Sequence, residues 1–137
     1  MITLEQYVGG HEASPDWTPE RQSNATKLLY TCAQLELEMI ADGVVFPDNP
    51  HTGSGVSGQT FGGFRPQDCP QGAPHSSHKE GLAVDRYDPN NAIDTWLMAH
   101  QDALERFGIY IEHPDSTHGW SHWSIKAPGS GKHVFYP

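Results

Sequence analysis

Apolar positions along the chain form two helical stripes, set apart by a long polar stretch and by short segments of alternating character. From Thr18 to Asp42, the residues Ala25, Leu28, Leu29, Cys32, Leu35, Met39 and Ile40 recur at three- and four-residue steps, which predicts a helix with one buried face. Thr18 is suited to cap it, Pro19 to open it and Gly43 to end it. A second helix is expected from Ala92 to Phe107, with Asn90 or Asn91 as cap and Gly108 as stop; Ile93, Trp96, Leu97, Leu104 and Phe107 form its apolar stripe.

Three short runs read as strands: Leu82 to Tyr87, Ile109 to Glu112 and Trp120 to Ile125, the last two as a hairpin. Phe46 to Ser77 is dense in Gly, Pro, Asn, Asp and Ser, so it reads as loop with one short strand near Gln59 to Phe64. Long loops in compact domains are commonly functional. Val134, Phe135 and Tyr136 are expected to fold back over an edge or the core. No repeat or linker interrupts residues 1–137, a length suited to one domain.

Composition narrows the function classes. Eight Lys and Arg against seventeen Asp and Glu give a net charge of −9, a sign that repels nucleic-acid phosphates and anionic lipid. No apolar run reaches the roughly 18 residues of a membrane span, and Met1 to Glu12 lacks a signal-peptide pattern, so a cytoplasmically made chain without membrane insertion is expected. Cys32 and Cys69 have no CxxC context and are expected to be free thiols. Nine histidines outnumber the eight Lys and Arg, which directs attention to metal or acid–base chemistry.

That chemistry concentrates between Gly63 and His122. His78 and Asp85 lie seven residues apart, the histidine in a loop, Gly81 permitting a turn and Asp85 in the strand that follows. Strand alternation puts Ala83, Asp85 and Tyr87 on one face; in Trp120-Ser121-His122-Trp123-Ser124 it groups Trp120, His122 and Ser124, and sends Trp123 to the other side. Two imidazoles and one carboxylate can therefore converge, the ligand set that a catalytic zinc uses while keeping a fourth position open for an acidified water. Each residue alone has an ordinary role, as loop histidine, strand-end carboxylate or core histidine; the spacing of all three gives the pattern its weight.

The run Ser76-Ser77-His78-Lys79-Glu80-Gly81-Leu82-Ala83-Val84-Asp85, with Gly63-Phe64-Arg65-Pro66 before it and Trp120-Ser121-His122 and Ala127-Pro128-Gly129-Ser130-Gly131 after it, resembles a known family. It is similar to the zinc peptidases that include D-Ala-D-Ala carboxypeptidases and phage L-alanyl-D-glutamate endopeptidases, related in fold to lysostaphin and the hedgehog signalling domain. The resemblance implies His78, Asp85 and His122 as ligands of one zinc ion and Arg65 as the group that holds the scissile carbonyl. It also implies an α+β fold, with a small antiparallel sheet, two main helices packed on one side and long loops framing a zinc cleft. The expected substrate is the peptide stem of bacterial peptidoglycan. A monomer is expected, acting on the cell wall after release or within a phage particle.

One position departs from the family pattern. The carboxylate usually found three residues before the last histidine is replaced by Gly119. Glu112, His118 and Asp115 are the candidate general bases, and none of them is the fourth option. A hairpin turning around Ser116 would set Glu112 opposite Trp120, diagonal to His122 and on its face, which favours Glu112. His118 lies four residues before His122, and Asp115 sits at the loop tip. His75 and Glu80 read as solvated loop residues, and a surface pairing with Asp68 is the ordinary reading of Arg65. The missing carboxylate also leaves room for a catalytically silent zinc-containing module, and a metal-independent interaction domain is a third reading.

Overall fold

Thr18 caps the long helix through its hydroxyl, which accepts from the Arg21 amide, and Pro19 fills the first position where a backbone N–H has no partner to lose. A computed structural model describes residues 1–137. Its elements are helices α1 (Leu4–Val8), α2 (Pro19–Ala41), α3 (Ala92–Ala99) and α4 (Gln101–Phe107), and strands β1 (Ala83–Tyr87), β2 (Tyr110–Glu112), β3 (Trp120–Ser124) and β4 (Val134–Phe135). The fold is α+β, with an open four-stranded sheet in the order β1-β3-β2-β4.

The sheet divides the molecule's chemistry by face. Val84, Ile111 and Trp123 are fully buried against Leu28, Leu35 and Met39 of α2 and against Ile93, Leu97 and Leu104 of the later helices. Each such side chain contributes roughly 1.5–3 kcal/mol when removed from water. Arg86 points into the same layer, its guanidinium 3.1 Å from Glu36 of α2 and between the rings of Phe46 (4.8 Å) and Trp123 (5.1 Å). The counter-ion and the π faces offset the cost of burying this charge, although the Arg86 Nε has no hydrogen-bond partner. Cys32 and Cys69 are free and buried; burial first, with the nearby Glu36 charge acting against the opposing pull of Arg86, pushes the Cys32 thiol up to about 12.

Four expectations are corrected by the structure. The sheet is mixed, because β4 pairs parallel to β2 while β1–β3 and β2–β3 are antiparallel. The second helix is two: at His100 the backbone leaves helical geometry (φ −132°, ψ 48°), and the imidazole Nδ1 lies 2.8 Å from the Trp96 carbonyl, a side-chain partner for the freed group. No strand forms over Gln59 to Phe64; the longer stretch 55–62 lies along β1 through single contacts, with the Ser57 amide donating to Asp85 O, the Asp85 amide to Gly62 O and the Tyr87 amide to Gly55 O. The β2–β3 register pairs Tyr110 with Ser124 and Ile111 with Trp123, so continuing it sets Glu112 across from His122 and not from Trp120. The cause is an asymmetric connection, a 3-10 turn at Pro114–Ser116 followed by Gly119 at φ +88°. Gly119 is thus the turn residue that its left-handed backbone demands.

Helix α1, five residues long, is too short to carry an apolar stripe, although its Thr3 and Gln6 form a capping box. It matters to the site, because the Tyr7 hydroxyl donates to the Ala83 carbonyl of β1 while the Tyr7 carbonyl accepts from the Phe64 amide.

Candidate metal centre

Asp85 and His122 are direct cross-strand partners in the β1–β3 ladder, so alternation brings both to the face away from the helices. His78 reaches the same point from a 3-10 turn, Ser77–Glu80, which ends at Gly81 in left-handed conformation (φ +76°). A Cβ on Gly81 would also lie 2.7 Å from the Arg21 carbonyl, so both backbone and space require glycine there. His122 Nδ1 lies 2.9 Å and His78 Nε2 3.2 Å from Asp85 Oδ1. Ligand-type atoms of the three residues all fall within 4.8 Å of one another, and the group could hold a metal ion.

The donor chemistry fits a cation. His78 Nδ1–H donates to the Gly63 carbonyl at 2.8 Å, which fixes the neutral tautomer and leaves the Nε2 lone pair facing Asp85. A lone pair aimed at a carboxylate oxygen is repulsive unless a proton or a metal ion lies between them. Tetrahedral zinc with bonds of about 2.0–2.1 Å asks for ligand atoms roughly 3.3 Å apart, close to the 2.9 and 3.2 Å that separate His122 Nδ1 and His78 Nε2 from Asp85 Oδ1.

Electrostatics point the same way. Burial alone would raise the Asp85 carboxyl, but His78 and His122 beside it hold it well below the usual carboxylate range. For His122 burial works against protonation, yet the Asp85 hydrogen bond and the charges of Asp85 and Glu112 lift the imidazole above its ordinary value. The Asp85 carboxylate is thus held ionised among two imidazoles and the Arg65 guanidinium, with all three residues of the group largely removed from solvent.

Arg65 does not pair with Asp68 as a surface residue would. Its Nε donates to the Phe61 carbonyl at 2.7 Å and one terminal nitrogen to Asp85 Oδ2 at 3.2 Å, which leaves Nη1 without a protein acceptor. Phe61 is itself stacked on His11 (5.4 Å), whose Nε2 lies 3.0 Å from the Thr60 carbonyl. His11, a residue with no motif around it, therefore fixes the loop that aims the arginine.

A cleft of about 810 Å³ opens over the three residues, and Arg65, Glu112 and Trp120 line it. Trp123 faces the core, as strand alternation requires. His118, Asp115 and His75 are exposed and lie outside the cleft lining. Glu80 is tied to Lys126 at 2.7 Å. One contributor escaped the sequence reading, the Gly63 carbonyl, a backbone atom with no residue signature; the chain end folds back over the sheet edge as expected and also brings Phe135 and Pro137 into the cleft. Phe135 meets His122 edge-on at 6.2 Å, and its strand is held by the stacks Tyr110–His133 (4.3 Å) and His113–Tyr136 (4.6 Å).

Comparison with family models, with curated proteins and with solved structures finds no match for this chain. The class that fold and site define is a small α+β domain with a His-Asp-His group, able to hold a metal ion, at the floor of an open cleft.

Proposed function

We propose that the protein is a zinc-dependent peptidase that hydrolyses an amide bond in the peptide stem of bacterial peptidoglycan. The observation that carries the reading is the convergence of His78, Asp85 and His122 beneath a cleft that also receives Arg65 and Glu112. His78, Asp85 and His122 would hold the ion, and zinc, when bound, supplies Lewis acidity and a water acidified to near neutrality.

The remaining work falls to the chain's own groups. Arg65 is braced at two of its nitrogens and offers Nη1 to the carbonyl oxygen, where negative charge grows as the trigonal carbon becomes tetrahedral. Glu112 stands next to His122 on the cleft wall, placed to take a proton from the attacking water and pass it to the leaving nitrogen. One water is consumed: its hydroxyl ends on the acyl carbon and its proton on the amine. Trp120 and Phe135 supply apolar walls that limit water around the reacting bond. No helix is long and apolar enough to cross a membrane, and the wall would be met after release or as part of a phage particle.

The test is digestion of purified peptidoglycan by the zinc-loaded chain, followed by mass analysis of the products. New amino termini that disappear on chelation and return with zinc support the reading. A chain that keeps its zinc and leaves the polymer intact would instead be a silent module of the same architecture.

A further inference from the structure

The sheet face that carries Asp85 and His122 continues one step beyond them. Tyr87 and Trp120 are the next cross-strand pair on that face, and a step of two residues along each strand sets them about 7 Å from the His-Asp row. Both are half-buried, and Trp120 lines the cleft. Most rings in this molecule are engaged with one another: Trp17 with Tyr7 and Phe64, Trp123 with Phe46, Tyr110 with His133 and Tyr136 with His113. Two other tryptophans also use their indole N–H groups, Trp96 toward Asp42 at 2.9 Å and Trp123 toward Ser121 at 2.8 Å. Trp120 and Tyr87 stack on no other ring, and neither the indole N–H nor the phenol hydroxyl has a protein partner. Such rings pair an apolar body with a polar tip, and here both parts are free for a ligand.

The loop-side wall of the cleft is of the opposite kind. Gln59, Thr60, Gln71 and Ser76 line it, and their amide and hydroxyl groups bond to no protein atom. They are neutral groups that both donate and accept. The volume of about 810 Å³ falls at the upper end of ligand sites, more than the few residues around a scissile bond fill. An aromatic wall facing a neutral hydrogen-bonding wall matches a pyranose ring, whose C–H groups make an apolar face and whose hydroxyls project from its rim. An acetamido substituent on that ring carries one donor and one acceptor, the complement of a glutamine side chain. An extended peptide with small side chains has no flat apolar face to cover an indole.

We propose that Trp120, with Tyr87 beside it, forms a saccharide subsite that holds an N-acetylated hexosamine ring of the glycan strand. The ring lies on the indole and turns its hydroxyl and acetamido groups toward Gln59, Thr60, Gln71 and Ser76. The proposal rests on the peptidase reading for the origin of the sugar, and it is independent of which amide of the stem is cut.

Titration calorimetry on the full chain tests it, with chelator present so that no ligand is consumed. The two ligands are a stem pentapeptide and the same pentapeptide carried on N-acetylmuramic acid. The sugar-bearing ligand is expected to bind about 10-fold more tightly, the size of one good aromatic contact. In Trp120→Ala the two affinities converge to within about 2-fold, and Trp120→Phe, which keeps an apolar face at the same strand position, retains part of the ratio. Equal affinities in the wild-type chain, no measurable binding of either ligand, or a ratio that survives Trp120→Ala would overturn the subsite. Digestion of purified peptidoglycan by the zinc-loaded chain is read separately. Intact polymer beside a sugar preference that depends on Trp120 would overturn the peptidase reading and leave the subsite standing, whereas cleavage without that preference would do the reverse.

Discussion

Gly63 links the N-terminal helix to the His78, Asp85 and His122 group that could hold a metal ion, and replacing it by alanine tests that link. A Cβ there would lie 2.0 Å from the Tyr7 carbonyl oxygen and 2.8 Å from the carbon of the same carbonyl, a backbone contact that no side-chain rotation relieves. Tyr7 cannot retreat freely, because its hydroxyl is bonded to Ala83 at 2.9 Å and its helix is fixed by the Thr3–Gln6 box. Overpacking of this kind costs about 1–3 kcal/mol. Separating the strands of chain also breaks the Phe64 N–H to Tyr7 O bond, 3.1 Å long, worth about 1 kcal/mol more. The total, about 2–4 kcal/mol, is a large share of the 5–15 kcal/mol that holds a typical domain. The same displacement moves the carbonyl that orients His78, and loss of such an outer partner weakens metal binding by roughly 10–100-fold. Thermal unfolding with chelator present reads the first effect, and zinc competition against a chromophoric chelator reads the second. Gly129→Ala is the control, since a Cβ there meets nothing within 4 Å and surface changes of that kind stay within about 0.5 kcal/mol. Wild-type melting and zinc affinity in Gly63→Ala would refute the coupling.

Three further outcomes are expected. Arg65→Ala lowers turnover of peptidoglycan about 100-fold or more at full zinc occupancy, and Arg65→Lys restores it only in part because a point charge lacks the planar fork that reaches Asp85, Phe61 and substrate together; unchanged rates in the alanine variant would make the arginine a mere brace. Glu112→Gln keeps fold and zinc but loses nearly all hydrolysis, whereas His118→Ala and Asp115→Asn, both exposed and away from the cleft lining, change little; an active Glu112→Gln enzyme would remove Glu112 as base. Stability of the metal-free chain falls on both sides of a maximum. The lowered carboxyl of Asp85 contributes stability above its unfolded value of about 3.9, lost as pH falls, and the raised imidazole of His122 contributes stability below about 6.5, lost as pH rises through its folded value. Zinc binding requires neutral imidazoles, so in the loaded chain stability rises through the same upper range. Denaturant midpoints from about pH 3 to 8 trace both limbs, and those taken with and without chelator over the upper range give the two slopes; equal slopes would exclude the three residues as the zinc site.

The parts of this architecture that were legible in the sequence are those governed by periodicity. The three- and four-residue spacing of Leu28, Cys32, Leu35 and Met39 requires a helix with one buried face, and Thr18-Pro19 marks its start within a residue. Alternation through Ala83-Val84-Asp85 and Ser121-His122-Trp123 decides which side chains meet the core, and Asp85 and His122 emerge as neighbours for that reason. Position along a strand and contact between strands are different problems. The register of Glu112 depended on how Pro114, Ser116 and Gly119 turn the chain, and a change of two residues preserves the face while moving the partner from Trp120 to His122. The break at His100 arises from a side-chain contact with the Trp96 carbonyl inside a continuous apolar stripe. The apolar tail Val134-Phe135-Tyr136 announced its return to the sheet edge, whereas Gly63 acts through its carbonyl oxygen, which residue type does not announce.

The central claim is that His78, Asp85 and His122 form one zinc site in a single chain. Elemental analysis of protein purified without added metal, run beside the His122→Ala variant at matched fold content, tests it most directly. One zinc per wild-type chain and a loss of stoichiometric zinc in the variant is the predicted result. A variant that retains a full equivalent, or a wild-type chain that binds none when zinc is offered in excess, would contradict it.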